Sequence, residues 1–151
     1  MKKLILILLL AVCAACTPNK NNMVDFTYAG NLPVVGDTIN TEVVHFIIDS
    51  GANLSLIDSD YYIANKNSLK VLKEVEMSLY GISGVADYRT SATVVMHTSI
   101  GRCVFQESDL SPVVKKANSY GYNVIGIIGS DFLRDDYIIN YKTKQLIHAT
   151  E

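Results

Sequence analysis

Asp49, Ser50, Gly51 and Ala52 follow directly on the apolar run Val43-Val44-His45-Phe46-Ile47-Ile48. A carboxylate at the mouth of an apolar strand is a costly way to build a turn, so its placement points to chemistry. A carboxylate in such a place can take a proton from water, or, when protonated, donate one to a carbonyl oxygen. Gly51 lets the backbone turn tightly and approach another segment closely. Ser50 supplies a hydroxyl that can bond across the loop, and Ala52 keeps the far side small. A β pattern resumes at Leu54-Ser55-Leu56-Ile57-Asp58. Near the other end of the chain, Ile127-Ile128-Gly129 followed by Ser130-Asp131-Phe132-Leu133 offers a second apolar segment that closes on a glycine.

Other residue groups carry less chemistry. Asp58-Ser59-Asp60 has the start of a calcium loop, but the glycine at the sixth position and the later glutamate are missing, so these residues read as helix caps. His45, His97 and His148 fit no zinc spacing, and no metal or cofactor is implied. With Cys13 and Cys16 close to the N-terminus, Cys103 stands alone in the body of the chain, which leaves no disulfide framework; it reads as a small buried thiol in the β-like run Cys103-Val104-Phe105.

The elements that must position the Asp49 loop are mostly strands. Short runs rich in Val, Ile, Tyr and Thr, bounded by Gly, Asn, Asp and Pro, fall at 25–28, 32–35, 43–48, 54–57, 71–79, 88–96, 103–107, 124–128, 137–141 and 145–148. They are too many and too closely spaced for alternating β and α units, so the fold class is mainly β. Three short helical pieces are expected: 60–65 capped by Asp58 or Ser59, 111–119 opened by Ser111 as cap and Pro112, and a turn at 131–134 started by Ser130. The run 75–79, the tip Tyr80-Gly81-Ile82-Ser83-Gly84 and the run 86–93 predict a hairpin.

At 151 residues, 49% of them hydrophobic and 19% charged, the chain can bury one sizeable core but hardly two. There is no block of like charge, which argues against a nucleic-acid partner. Lys2 and Lys3 precede an apolar run from Leu4 to Val12 and the small-residue stretch Cys13-Ala14-Ala15-Cys16, the layout of a secretory signal. The run is too short for a spanning helix. Cys16 after two alanines resembles the lipobox of bacterial lipoproteins, although Cys13 stands where that motif usually has Leu. An ordinary signal cleaved near the same alanines is the alternative. The resemblance implies a signal peptide over 1–15, a lipidated Cys16, a polar tether over 16–23 and a domain over 24–151, held by its acyl (palmitate) anchor to a membrane of the bacterial cell envelope, facing the periplasm or the exterior.

The strand, the Asp-Ser-Gly-Ala loop, the returning Ser55-Leu56-Ile57 and the later Ile127-Ile128-Gly129 together resemble the retropepsin-like aspartic peptidases, in their bacterial single-domain form. Ser50 stands where that family commonly has Thr. The resemblance implies a single-lobe acid-protease β-barrel with one or two short helices. It assigns Asp49 as the catalytic residue, Ser50, Gly51, Ala52, Ile128 and Gly129 as support of its loop, and Tyr80, Gly81, Ile82, Ser83 and Gly84 as a flap over a peptide or protein substrate. In that family two aspartates share one proton, because like charges so close cannot both ionise. Gly36-Asp37-Thr38 lacks the glycine, and Asp131 follows Gly129 instead of preceding a glycine, so the second aspartate is expected from another copy in a twofold homodimer. Two rival readings keep the fold without the chemistry: a monomeric lipoprotein that binds a peptide or envelope component in its cleft, and a structural lipoprotein in which the Asp49 loop closes the core.

Overall fold

A computed structural model describes residues 23–80 and 86–149. Strands dominate, in the order β1 (Met23–Asp25), β2 (Thr27–Ala29), β3 (Leu32–Ile39), β4 (Glu42–Ile48), β5 (Leu56–Asp58), β6 (Lys70–Tyr80), β7 (Ala86–Thr98), β8 (Gly101–Ser108), β9 (Val124–Ile128), β10 (Tyr137–Asn140) and β11 (Gln145–His148). Helix α1 (Ser59–Asn65) follows β5, α2 (Ser111–Asn118) follows β8, and α3 (Ser130–Asp136) follows β9. This is the mainly β, single-lobe architecture expected from the sequence, with all three short helical pieces present.

The strands form two sheets, a large one in the order β2-β3-β4-β9-β5-β8-β7-β6 and a small one in the order β1-β11-β10. At the centre of the large sheet β9 runs parallel to β4 and antiparallel to β5. Each residue of β9 is buried, because both faces of the strand are covered. A bulge where His45 and Phe46 meet β9 breaks the two-residue alternation. Val124 and Ile127 therefore face a smaller apolar cluster with Val34, Ile47, Leu110 and Ala117, whereas Ile125 and Ile128 face the main core. Phe46 and Phe105 stack in that main core with centroids 5.2 Å apart.

Several boundaries differ from expectation for identifiable reasons. The strand expected at 25–28 is two strands in different sheets: β1 pairs with β11 and β2 with β3. The chain changes sheets at Phe26, whose N–H donates to the Lys144 carbonyl (2.9 Å) and whose ring is buried. Met23, placed with the tether by composition, already pairs with Ile147. The strand expected from Leu54 starts at Leu56, since the Asp49 loop uses the chain through Ser55.

The helix caps differ as well. Asp58 occupies the cap position of α1 but makes no capping bond; its carboxylate is buried and accepts the Leu110 N–H at 2.9 Å, tying β5 to the start of α2. Ser59 is the first residue of α1 and donates to Glu107. Leu110, not Ser111, caps α2, and Asp109 accepts the Ser111 N–H at 2.9 Å. Gly129 holds the cap position of α3, its carbonyl accepting from Phe132 and Leu133, and Ser130 is one position inside the helix. Local sequence names the right residue types at α1, but tertiary partners outcompete the helix for the side chains of Asp58 and Ser59.

Cys103 is fully buried, and burial pushes its thiol up to about 11, against a smaller downward pull from the Thr98 hydroxyl. The inert structural role expected of it stands, since the thiolate is the reactive form.

Candidate active site

β4 ends in the residues that its sequence makes apolar, and Asp49 emerges one position beyond. The parallel ladder continues for that one residue: the Asp49 N–H donates to the Ile128 carbonyl at 3.0 Å. The chain then turns at once. Asp49 Oδ1 accepts the Gly51 N–H at 2.9 Å, and the Asp49 carbonyl accepts the Ala52 N–H at 3.1 Å. A side chain with its own loop amide as partner has few orientations left. Asp49, Ser50 and Gly51 are exposed, whereas Ala52 packs against the smaller apolar cluster. The loop thus presents a carboxylate outward on an anchored backbone.

The anchor is the segment that the sequence singled out. The Ser130 N–H donates to the Ala52 carbonyl at 2.8 Å, and the Gly129 N–H donates to Ser55 Oγ at 3.0 Å. Gly129 is required by close approach: a Cβ there would lie 2.5 Å from the Leu54 carbonyl oxygen and 2.9 Å from that of Ala52. Gly51 meets a milder limit, a Cβ falling 3.2 Å from Asp49 Oδ1. Ile128 is fully buried in the main core directly beneath the loop. Asp49, Ser50, Gly51, Ala52, Ile128 and Gly129 are therefore contiguous in space.

Sequence reasoning missed two residues of this arrangement, Ser55 and Asp131. Ser55 is almost wholly buried and donates its hydroxyl to Asp131 Oδ1 at 2.7 Å, joining the end of the loop to the first turn of α3. A serine inside an apolar strand pattern was the available signal that some partner exists, since a buried hydroxyl needs one.

The other aspartates weighed for the site are occupied elsewhere. Asp37 pairs with Val44 across β3 and β4, five residues and so roughly 16 Å along the strand from Asp49. Its oxygens accept the Thr38 and Ser99 N–H groups, each at 2.6 Å. Asp131 is engaged by Ser55. Among the described residues no group of three His, Cys, Asp or Glu side chains is placed to hold a metal ion.

The expected flap is a hairpin at the level of the backbone: β6 and β7 pair antiparallel up to Tyr80 opposite Ala86. Tyr80 ends β6, while Gly81, Ile82, Ser83 and Gly84 lie outside the described residues, as do Cys16 and the rest of 1–22.

His45, four residues before Asp49, sits half-buried on β4 with its ring edge-on to Tyr122 at 5.0 Å. Its buried Nδ1 has no hydrogen-bond partner among the described residues. Burial holds its pKa below the ordinary 6.5, partly offset by the Asn123 backbone. A lowered native value means that the unfolded chain takes up the proton first, so this contribution to stability is complete above pH 6.5 and is lost as the pH falls below it. Thermal unfolding followed from about pH 8 down to about pH 5 is expected to show a smaller acid-induced drop in Tm for His45→Phe than for the native chain, and equal drops would refute the assignment.

The backbone is similar to two solved structures. A retropepsin-like aspartic protease from Rickettsia conorii is 14% identical, with 83% of this chain and 87% of that one covered at a TM-score of 0.43. The retroviral protease-like domain of Ddi1 from Leishmania major is also 14% identical, with 80% and 96% covered at a TM-score of 0.38. No family model matches the chain, and no curated protein matches its sequence.

Proposed function

We propose that the chain is one half of a homodimeric aspartic endopeptidase. The observation that carries this reading is Asp49 itself: an exposed carboxylate on a loop whose backbone is tied to β9 and α3, while Asp37 and Asp131 are engaged by Ser99 and Ser55. A twofold axis through the loop brings two Asp49 side chains together, and a pair about 3 Å apart holds one proton between them. The ionised member takes a proton from a water molecule, whose oxygen bonds to the peptide carbonyl carbon. The protonated member gives its proton to the carbonyl oxygen. Collapse of the tetrahedral intermediate breaks the C–N bond: the departing amine takes a proton from one member of the pair while a hydroxyl of the intermediate returns one to the other, which restores the single shared proton. The β6–β7 hairpin is the natural cover for a peptide in the cleft. In this reading acyl chains on Cys16 hold the domain to the envelope membrane, where confinement raises the effective concentration of a second copy.

A monomeric peptide-binding module is the second reading, and the small sheet favours it. β1 and β11 satisfy each other within one chain, so that among the described residues the small sheet leaves the outer edges of β1 and β10 for a partner. Sedimentation combined with hydrolysis of a peptide library separates the two. The peptidase reading expects specific activity to rise with protein concentration as dimers form, together with inhibition by statine-type mimics of the tetrahedral intermediate. A strict monomer that binds peptides without cleaving them would overturn it.

A further inference from the structure

Ser55 is a two-way link between the Asp49 loop and α3. Its hydroxyl donates to Asp131 Oδ1 at 2.7 Å and accepts the Gly129 N–H at 3.0 Å. The serine is 1% exposed, whereas Asp131 is exposed, so the buried hydroxyl is met by a carboxylate that remains open to solvent. A hydroxyl held by a carboxylate makes a stronger bond than one held by a neutral acceptor. Donating in that direction also makes Ser55 Oγ a better acceptor for Gly129.

The residues on either side of Gly129 hold the loop. The Ile128 carbonyl takes the Asp49 N–H, and the Ser130 N–H goes to the Ala52 carbonyl. Rotation of Ser55 Oγ away from Gly129 would leave the Ile128–Gly129 peptide, whose carbonyl takes the Asp49 N–H, without a partner for its amide, and so loosen one anchor of the turn and the peptide next to the other. The remaining bonds of the turn, Gly51 N–H to Asp49 Oδ1 and Ala52 N–H to the Asp49 carbonyl, lie within the turn and cannot set its height above β9.

We infer that Asp131 is a positioning residue for Asp49, acting through Ser55 and the Gly129 peptide. This rests on the peptidase reading, in which two Asp49 carboxylates must meet across a twofold axis. Displacement of a reacting group by about 1 Å costs roughly a hundredfold in rate. Because both copies carry the same link, its loss displaces both carboxylates of the pair.

The test compares Asp131→Ala, Asp131→Asn and Ser55→Ala with the native chain on one cleaved peptide, with Asp49→Asn as control. Asp131→Ala and Ser55→Ala are each expected to lower kcat about ten- to a hundredfold with KM nearly unchanged, the size of a lost charge-assisted hydrogen bond. The double variant is expected to be no worse than the poorer single one, since the two residues act as one unit. Asp131→Asn keeps an acceptor oxygen and is expected to recover most of kcat, which a general loss of stability would not predict. If Asp49→Asn is inactive but Asp131→Ala keeps full kcat, the positioning role is wrong and the peptidase reading stands. If the native chain cleaves nothing, that reading fails, and amide exchange decides the link: Gly129 and the amides of residues 49–54 exchange about tenfold faster in Asp131→Ala and at the native rate in Asp131→Asn. Unchanged exchange in Asp131→Ala overturns the inference.

Discussion

Asp49→Asn is expected to lower peptide hydrolysis by at least about a thousandfold while leaving the fold in place. The side chain is exposed, and the Gly51 N–H that it accepts is one that an amide oxygen also accepts. Circular dichroism and the urea midpoint should therefore match those of the native chain. The loss is large because one substitution removes both carboxylates of a symmetric pair: no group remains to take the proton from water, and none to donate to the carbonyl oxygen. Mixing the variant with native protein sharpens the experiment. A dimer of one native and one variant subunit keeps a single carboxylate, so a large excess of variant should suppress native activity by drawing native subunits into mixed pairs. Hydrolysis retained in pure Asp49→Asn would remove the basis of the peptidase reading.

Gly129→Ala is expected to cost about 2–4 kcal/mol of stability and to abolish activity in whatever fraction still folds. The added methyl would meet backbone atoms, the Leu54 carbonyl carbon at 2.6 Å and its oxygen at 2.5 Å, and backbone cannot swing aside as a side-chain tip can. Relief requires the loop and β9 to separate, which strains the Ser130–Ala52 and Gly129–Ser55 hydrogen bonds together. Gly36→Ala is the matched control, because there the added methyl finds only the His45 ring at 3.6 Å, an ordinary contact. Urea unfolding of the two variants should place Gly129→Ala far below Gly36→Ala; equal midpoints would mean that the loop and β9 are not locked as described.

Much of the site was legible because its parts are local. A run of apolar residues ending in Asp-Ser-Gly-Ala declares a strand and a tight turn, and Ile127-Ile128-Gly129 declares a buried strand closing on a point of close approach. Their adjacency came from the resemblance to a family, since nothing local says that β4 and β9 run parallel with a bulge at His45 and Phe46. The partners of Ser55, Asp58 and Asp131 were illegible for the same reason. Ser55 and Asp131 are 76 residues apart, and Asp58 and Leu110 are 52 apart, so the bonds exist only once the sheet has set the register. Local capping rules placed Asp58 on α1, and the folded chain gave it to α2. Phe26 shows the limit in the apolar pattern: its neighbours read as one strand, but the buried ring and the bond to Lys144 divert the backbone between sheets.

The small sheet also bears on how the chain acquires its structure. Met23, Val24 and Asp25 find their partners in Ile147, Leu146 and Gln145, near the opposite end of the sequence. Loop closure over so long a span is entropically slow, and the β3–β4 and β7–β8 hairpins can zip long before it. On a ribosome, or during passage through any pore that delivers the N-terminus first, β1 has no partner until Gln145, Leu146 and Ile147 have emerged. Completion of the small sheet is thus coupled to the emergence of β11, and a chain stopped before Lys144 leaves β1 as an unpaired strand and Phe26 without the carbonyl that fixes its course.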